Sequence, residues 1–422
     1  MFRKIIETIF SKGLTAISNL VTLLITAKYL GAEGRGEMAI IILGITIIGV
    51  FQNIFSGSVL TYLIPRNSFK KLFTISSLWN LIMSLTLPFI LVFSDLFPAL
   101  YLIDLVFISF ILGSIGQIQS ALIGFEKISK QNIVEITKAV SFTLFALLFI
   151  VVYQDFSMNA VINTLYYSYS VTLLLALVFV LPQFFKKITI SKSNNKFILS
   201  QFLRIGFQMQ LNNISQMINY RFCYYLIQKT LGLSAVGVFS VATSLIEVIW
   251  IISRGISTIH YSKSVNLKDI SKQILLSQKL TRMSFILTLP AIVLLLLLPN
   301  ELFSWLLGKD FGDFKPLFLT YSLGVLALAT FTILNHHFSG VDKNTINIKS
   351  SILGNFLTIF TGLTLINTYG ILAGGIATSV AYLGMFTYLF LTFNKTYKLS
   401  PKWFSFSKSA IKNSFSLKEF DV

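Results

Sequence analysis

Apolar windows, each about the 20 residues that a helix needs to cross a hydrocarbon core, recur along the whole 422-residue chain. Charge, Gly/Pro or Asn/Asp clusters separate twelve of them. They fall at 13–30, 38–63, 72–93, 99–122, 132–153, 158–181, 202–228, 235–258, 279–298, 315–338, 346–366 and 371–393. Only 12% of the chain is charged and 55% is hydrophobic, where soluble domains are about 25% charged. The net charge of +18 alone would suit a nucleic-acid binder. Combined with 14% aromatic residues and a mean hydropathy of +0.77, it points to lipid, and nucleic acid is not expected as a partner. The windows are unbroken instead of alternating, which excludes a β-barrel. One cysteine, Cys223, excludes a disulfide scaffold. The opening Met-Phe-Arg-Lys leads into an apolar stretch with no small-residue cleavage site, so it is expected to stay as the first helix.

The basic residues fix an orientation, because Lys and Arg accumulate on the cytoplasmic side of a membrane. Twenty-two fall in the termini and in alternate connectors, including Lys70 and Lys71, Lys127 and Lys130, Lys186 and Lys187, and six after residue 394. The opposite connectors hold four: Lys28, Arg35, Lys229 and Lys309. Both termini are therefore predicted to be cytoplasmic. The tail mixes Trp403, Phe404, Phe406, Ile411 and Phe415 with lysines, a composition that suits either a membrane-surface segment contacting anionic lipid or a frayed basic end.

An internal repeat organises the chain. Lys28-Tyr-Leu-Gly31-Ala-Glu-Gly-Arg-Gly36 is echoed 201 residues later by Lys229-Thr-Leu-Gly232-Leu-Ser-Ala-Val-Gly237. Gly124-Phe-Glu-Lys127 is echoed by Gly340-Val-Asp-Lys343. Both echoes fall at connectors that a duplication of six helices would equate. The predicted fold is all-α and polytopic, with twelve transmembrane helices in two six-helix lobes around a central cavity. Residues 1–182 form the first lobe, 183–200 a basic linker, 201–394 the second lobe and 395–422 a basic tail.

Polar residues inside the windows carry the functional signal, since a charge at a helix centre costs about 2.5–3.5 kcal/mol on insertion scales. Arg204, Gln208, Asn212, Ser215 and Asn219 follow one another at steps of three or four, which sets them on one helical stripe. Ser240, Thr243, Glu247 and Arg254 form a second. Seven residues separate Glu247 from Arg254, a rise of about 10.5 Å and too far for an ideal ion pair. Arg221 lies far off the first stripe, facing either another part of a wide cavity or outward beside Lys229. Lys138 has Glu135 on its own face, three residues away. Gly49, Gln52, Asn53 and Ser56, and Gly113, Gly116, Gln117, Ser120 and Gly124, form uncharged polar stripes that serve a cavity or helix packing. His336 and His337 have no Cys or carboxylate at ligand spacing, so an interfacial polar role is expected in place of metal binding. No Gly-x-x-x-x-Gly-Lys phosphate loop is present, which excludes that route of ATP hydrolysis.

The Lys28–Gly36 segment, the Gly124–Lys127 turn and Leu306-Leu-Gly308-Lys-Asp-Phe311, set in this layout, resemble the bacterial O-antigen and capsular polysaccharide flippases. These belong to the multidrug/oligosaccharidyl-lipid/polysaccharide exporter superfamily. The resemblance implies translocation of undecaprenyl-diphosphate-linked oligosaccharide repeat units across the bacterial cytoplasmic (inner) membrane for surface glycan such as lipopolysaccharide. It also implies no enzymatic step, and partners among membrane lipids and polysaccharide-assembly proteins.

A diphosphate is anionic and needs Arg or Lys, and the span cations outnumber the one central acid. Arg254, Arg204, Arg221 and Lys138 are therefore the candidate headgroup ligands. Gln52, Asn53, Gln117, Gln208, Asn212, Ser215 and Asn219 are candidates for the sugars. Glu247 either couples transport to a proton or Na⁺ gradient or serves as a fixed counter-charge to an arginine. No cofactor and no metal are expected. The alternative functions are an ion-coupled organic-cation antiporter of the same superfamily and a membrane-embedded sugar polymerase or ligase.

Overall fold

The computed structural model describes residues 2–64, 67–185, 195–266, 269–312, 314–341 and 343–416, and every regular element among them is helical. In chain order these are α1 (Phe2–Gln52), α2 (Gly57–Leu63), α3 (Phe69–Phe93), α4 (Leu102–Gly124), α5 (Ile128–Ala146), α6 (Met158–Phe184), α7 (Asn195–Gln201) and α8 (Phe207–Leu231). They continue as α9 (Leu233–Asn266), α10 (Ile270–Leu297), α11 (Asn300–Leu307), α12 (Lys315–Gly340), α13 (Asn344–Tyr369), α14 (Leu372–Tyr397) and α15 (Lys408–Ser414). The protein is an all-α, multi-pass membrane protein. Among the described residues ten helices are long and apolar enough to cross a bilayer, against twelve expected windows. The difference lies at two places. The first of the ten spans 43 residues, about twice the length one crossing needs, and consists of two helices joined at Gly31, whose backbone is not helical. The helix Phe207–Leu231 is 25 residues long but too rich in Asn, Gln and Arg to qualify by composition.

The chain divides into two compact units, Met1–Ile214 and Ser215–Val422. The division falls inside α8. Half of the expected linker, residues 186–194, lies outside the described residues.

In the first unit α1 packs on α3, α4 and α5, while α6 packs on α4 and α5. In the second unit α12 is the central helix, contacting α9, α10 and α14. Its apolar window is 78% buried, as expected of a helix that is hydrophobic all round.

The repeat has a backbone counterpart. Gly31 has φ 68° and ψ −175°, and Gly232, 201 residues on, has φ 84°. Both lie where an L side chain would be strained, and each turns the chain from the first long helix of its unit into the second. At the second echo the end of α4 closes with Phe125 N–H donating to Ala121 O at 3.0 Å and Lys127 N–H to Leu122 O at 2.8 Å. The end of α12 repeats this with Val341 to His337 at 3.1 Å and Lys343 to Phe338 at 2.8 Å. Asp342, the partner of Glu126 in this echo, lies outside the described residues.

The helices are inverted relative to those of a water-soluble protein. On α3, Ser76, Asn80 and Ser84 are buried while Leu78, Leu81, Leu85 and Phe89 are exposed. On α10, Gln273, Ser277, Thr281, Ser284 and Thr288 are buried while Leu287, Leu294 and Leu297 are exposed. Lipid tails solvate a leucine as well as another leucine does, so the gain from association comes from close backbone approach and hydrogen bonds at small residues.

The second window, read in the sequence as continuous over 38–63, is broken. Helix α1 ends at Gln52 and α2 begins at Gly57, so Gly49, Gln52, Asn53 and Ser56 do not form one continuous stripe. Backbone groups freed by such a break must find partners away from lipid. Trp79 Nε1 donates to Phe51 O at 2.9 Å, and Gln210 Nε2 to Asn53 O at 3.2 Å. A π-turn at Phe202–Gly206 carries Phe202 onto Phe55, with ring centroids 5.0 Å apart.

The C-terminal tail is anchored through its described residues, which end at Ser416. Lys279 Nζ donates to Ser416 O at 2.9 Å and an Arg282 nitrogen to Trp403 O at 3.1 Å. Phe404 packs its ring on Phe285, Phe386 and Phe390, at 5.7–5.9 Å between centroids. The segment up to Ser416 thus folds back on α10 and α14.

Candidate functional site

Thr243, Glu247, Trp250 and Arg254 follow one another at steps of four, three and four on α9, so one face of this helix carries all four. That face borders a cleft of about 420 Å³, open space at its mouth included, lined also by Tyr321, Thr378 and Tyr382 of α12 and α14. Arg221 enters from α8. One of its Nη atoms is 4.0 Å from Glu247 Oε1, and its guanidinium carbon is 5.0 Å from the Tyr224 ring centroid. Glu247 is 44% exposed and Arg221 31%, so the pair remains open enough to exchange partners. The Arg254 guanidinium stacks on Trp250 at 3.8 Å, and Trp250 Nε1 donates to Thr332 Oγ1 at 3.3 Å, which fixes the indole. Thr243 and Tyr321 share a hydrogen bond of 3.0 Å.

The cleft therefore presents one carboxylate, aromatic faces and several hydroxyls, with Arg221 paired to its Glu247 and the Arg254 guanidinium stacked on its Trp250. Guanidinium forks bind oxyanions, and aromatic faces with hydroxyls suit sugar rings. Among the described residues no three His, Cys, Asp or Glu side chains converge as a metal site would require.

The residues singled out in the sequence separate into groups. Arg221 and Glu247 come together at this cleft, and Arg254 stacks on Trp250 two turns further along α9. Arg221 faces α9, and Glu247 pairs with it, not with Arg254. Asn219 is fully buried, donating to Ser351 O at 3.4 Å and accepting from Thr358 Oγ1 at 3.2 Å. Ser215 accepts from Asn355 at 2.8 Å. Both tie α8 to α13. The predicted stripe from Arg204 to Asn219 does not hold as one face. Arg204 sits on the π-turn, whose wider pitch shifts the phase, and is exposed. The side chains of Gln208 and Asn212 lie outside the described residues.

In the first unit Gln52 donates to Ser84 Oγ at 2.9 Å and Ser109 O at 3.1 Å. Gln117 donates to Phe73 O and Ser77 Oγ, both at 2.9 Å. Their amides cross-link α1, α3 and α4, so packing occupies them. Asn53 borders the helix break and accepts from Ser56 Oγ at 3.1 Å. Lys138 is half-buried on α5, while its neighbour Glu135 accepts from Gln131 at 2.8 Å.

Sequence reasoning missed the aromatic half of the cleft. Trp250 stands three residues after Glu247 and four before Arg254, and Tyr224 three after Arg221. Reading the stripes for aromatics as well as polar residues would have found them.

Residues 27–316 match the family model described as "Polysaccharide biosynthesis protein". No curated protein matches the chain by sequence. Solved structures do match by fold. A Lipid II flippase, MurJ, in an inward closed conformation superposes with a TM-score of 0.74 at 14% identity, covering 98% of this chain and 91% of that one. An inward-facing multidrug resistance MATE family transporter of the MOP superfamily gives 0.72 at 15%, covering 95% and 96%. A Vibrio cholerae MATE transporter, VcmN, gives 0.62 at 13%, covering 96% and 98%. The fold is that shared by the MATE and MurJ structures.

Proposed function

The chain belongs to the polysaccharide biosynthesis protein family, and from that premise we propose that it is a transporter, not an enzyme. Its cargo is an undecaprenyl-diphosphate-linked oligosaccharide repeat unit for O-antigen or capsule assembly, moved across the bacterial cytoplasmic membrane by alternating access. The observation that carries this reading is the two aromatic-backed guanidinium groups, Arg221 and Arg254, whose partners Glu247 and Trp250 line one cleft. Arg254 takes the diphosphate, because a guanidinium offers several donors in a planar fork that matches an oxyanion. Arg221 joins it when Glu247 releases its hold, and Trp250 and Tyr382 offer faces to the sugars. Arg204 and Lys138 of the first unit remain candidates for further phosphate contacts.

The rival antiporter needs a carboxylate available to an organic cation. Glu247 has Arg221 at 4.0 Å, which favours the role of counter-charge. Export of organic cations that is lost in Glu247→Gln would support the antiporter, and product formation by the purified protein would support a polymerase or ligase.

The test is a host lacking the protein, complemented with the parent or with Arg254→Ala at equal membrane abundance. The deletion should accumulate lipid-linked repeat units on the cytoplasmic face, and the parent should clear them. Arg254→Ala should restore at most about a tenth of surface glycan, since a charge-assisted hydrogen bond contributes about 1.5–3 kcal/mol. Full restoration would refute the diphosphate assignment, and normal glycan in the deletion would refute the function.

A further inference from the structure

Four helices of the second unit meet at a buried chain of hydrogen bonds that the cargo site does not use. His260 of α9 and His337 of α12 are fully buried, as is Ser277 of α10. His260 Nε2 is 2.8 Å from Ser277 Oγ, and Ser277 Oγ is 2.8 Å from His337 Nδ1. His337 Nε2 is 2.9 Å from the hydroxyl of Tyr397, at the end of α14. Ser277 also has Gln273 O as an acceptor at 2.8 Å.

The chemistry of these neighbours is specific. Both ring nitrogens of His337 face hydroxyl oxygens, and a hydroxyl can donate or accept by turning its hydrogen. In the neutral ring one nitrogen donates and the other accepts. Adding a proton makes both donate, Nδ1 to Ser277 and Nε2 to Tyr397, while Ser277 passes its own hydrogen to Gln273 O. Every bond of the chain survives and no heavy atom moves.

The surroundings fix the ring. Phe338, Phe393 and Tyr397 stand edge-to-face with His337, at 5.0–5.5 Å between centroids, and hold both nitrogens on their hydroxyl partners. Among the described residues, the other titratable or charged groups on the helices and turns around it include His336, Lys343, and the exposed Lys272 and Lys395. Lys343 Nζ lies 5.5 Å from the Tyr397 ring centroid. Both nitrogens already face hydroxyls, and among the described residues no carboxylate or thiol joins them as a metal site would require.

We propose that His337 is a reversible proton-binding site, with Ser277 and His260 as its relay on one side and Tyr397 on the other. The proton it takes from water is the coupling ion of transport. The proton adds to the nitrogen lacking one and returns to water on release, so no other bond forms or breaks. Loading reverses the bond of whichever His337 nitrogen carried no hydrogen, to Ser277 of α10 or to Tyr397 of α14, on the helix α12 that packs against α9 and its Thr243, Glu247, Trp250 and Arg254. The coupling part of this inference rests on the transport reading, whereas the proton site does not.

The chain has three histidines, so imidazole ¹⁵N spectra of the full-length protein in lipid nanodiscs can be assigned with H260Q, H336Q and H337Q. His337 should pass from one to two N–H groups between about pH 8 and pH 4, and His260 should move with it. Y397F, which removes one acceptor without touching a histidine, should shift the His337 midpoint, and H336Q should not. A His337 that keeps one N–H throughout, or a midpoint indifferent to Y397F, would overturn the site. In proteoliposomes loaded with lipid-linked oligosaccharide, an imposed proton gradient should accelerate transport by the parent and by H336Q several-fold, and not by H337Q or Y397F. Equal acceleration in all four would overturn the coupling role and leave the transporter standing. No transport by the parent would instead refute the proposed cargo, with the spectra still deciding the proton site.

Discussion

Replacing Gly31 by Ala should destabilise the protein, although the same change elsewhere in its helix should do the opposite. At φ 68° and ψ −175°, Gly31 occupies a region essentially reserved for glycine, and strain there is of order 1–3 kcal/mol. Ala also restricts the unfolded chain, a gain of about 0.4–1 kcal/mol. The balance is a loss of about 1–2 kcal/mol for Gly31→Ala. Gly13 lies in the same helix with no positive φ, and a Cβ placed there would meet nothing within 4 Å. Gly13→Ala should therefore gain about 0.5–1 kcal/mol from helix propensity alone. Equilibrium unfolding of the two purified variants in mixed micelles, by titration with a denaturing detergent, gives both differences against the parent. The midpoint should fall for Gly31→Ala and rise for Gly13→Ala. If Gly31→Ala proved as stable as Gly13→Ala, the positive φ would not be a requirement of the turn. The same would then hold for Gly232, and the backbone argument for the repeat would fail.

Gly113 faces Asn80 and Gln52, whose side chains a Cβ would strike. Gly113→Ala should lose about 1–3 kcal/mol by overpacking, read in the same unfolding assay. Trp403→Ala removes a half-buried anchor of the tail, and a loss of about 2 kcal/mol, roughly half the fully buried cost, should appear as a lower midpoint. A reporter fused after residue 155 should be active outside the cytoplasm, and a cytoplasmic signal there would overturn the predicted orientation.

The membrane architecture was legible because hydropathy is a property of single segments. The repeat was legible for a related reason. A turn that demands positive φ tolerates little but glycine, so Gly31 and Gly232 persist where the rest of the two halves has diverged. What escaped notice depends on three-dimensional neighbours. Nothing in the residues 53–56 alone shows that the helix breaks there, because the partners that stabilise the break, Trp79 and Gln210, come from distant segments. The stripe from Arg204 to Asn219 assumed a uniform pitch that the π-turn interrupts. His337 was read as an interfacial polar residue, yet it is enclosed by groups 60 positions away on either side. In the cleft the charged residues were found by their cost in a membrane, whereas the aromatics beside them cost nothing and drew no attention.

The buried seams of small polar residues have a mechanical consequence. Thr164 donates to Ala160 O at 2.8 Å, Thr172 to Ser168 O at 2.7 Å and Thr281 to Ser277 O at 2.7 Å. Each hydroxyl is thus satisfied within its own helix, and a neighbouring helix sliding past strands no donor. Bulky interlocked side chains would have to be lifted out of their holes, whereas these surfaces meet as smooth, self-contained faces. Displacement along these faces leaves the hydrogen-bond count unchanged, whereas Gln52 on Ser84 and Thr358 on Asn219 pin their helices across the seam.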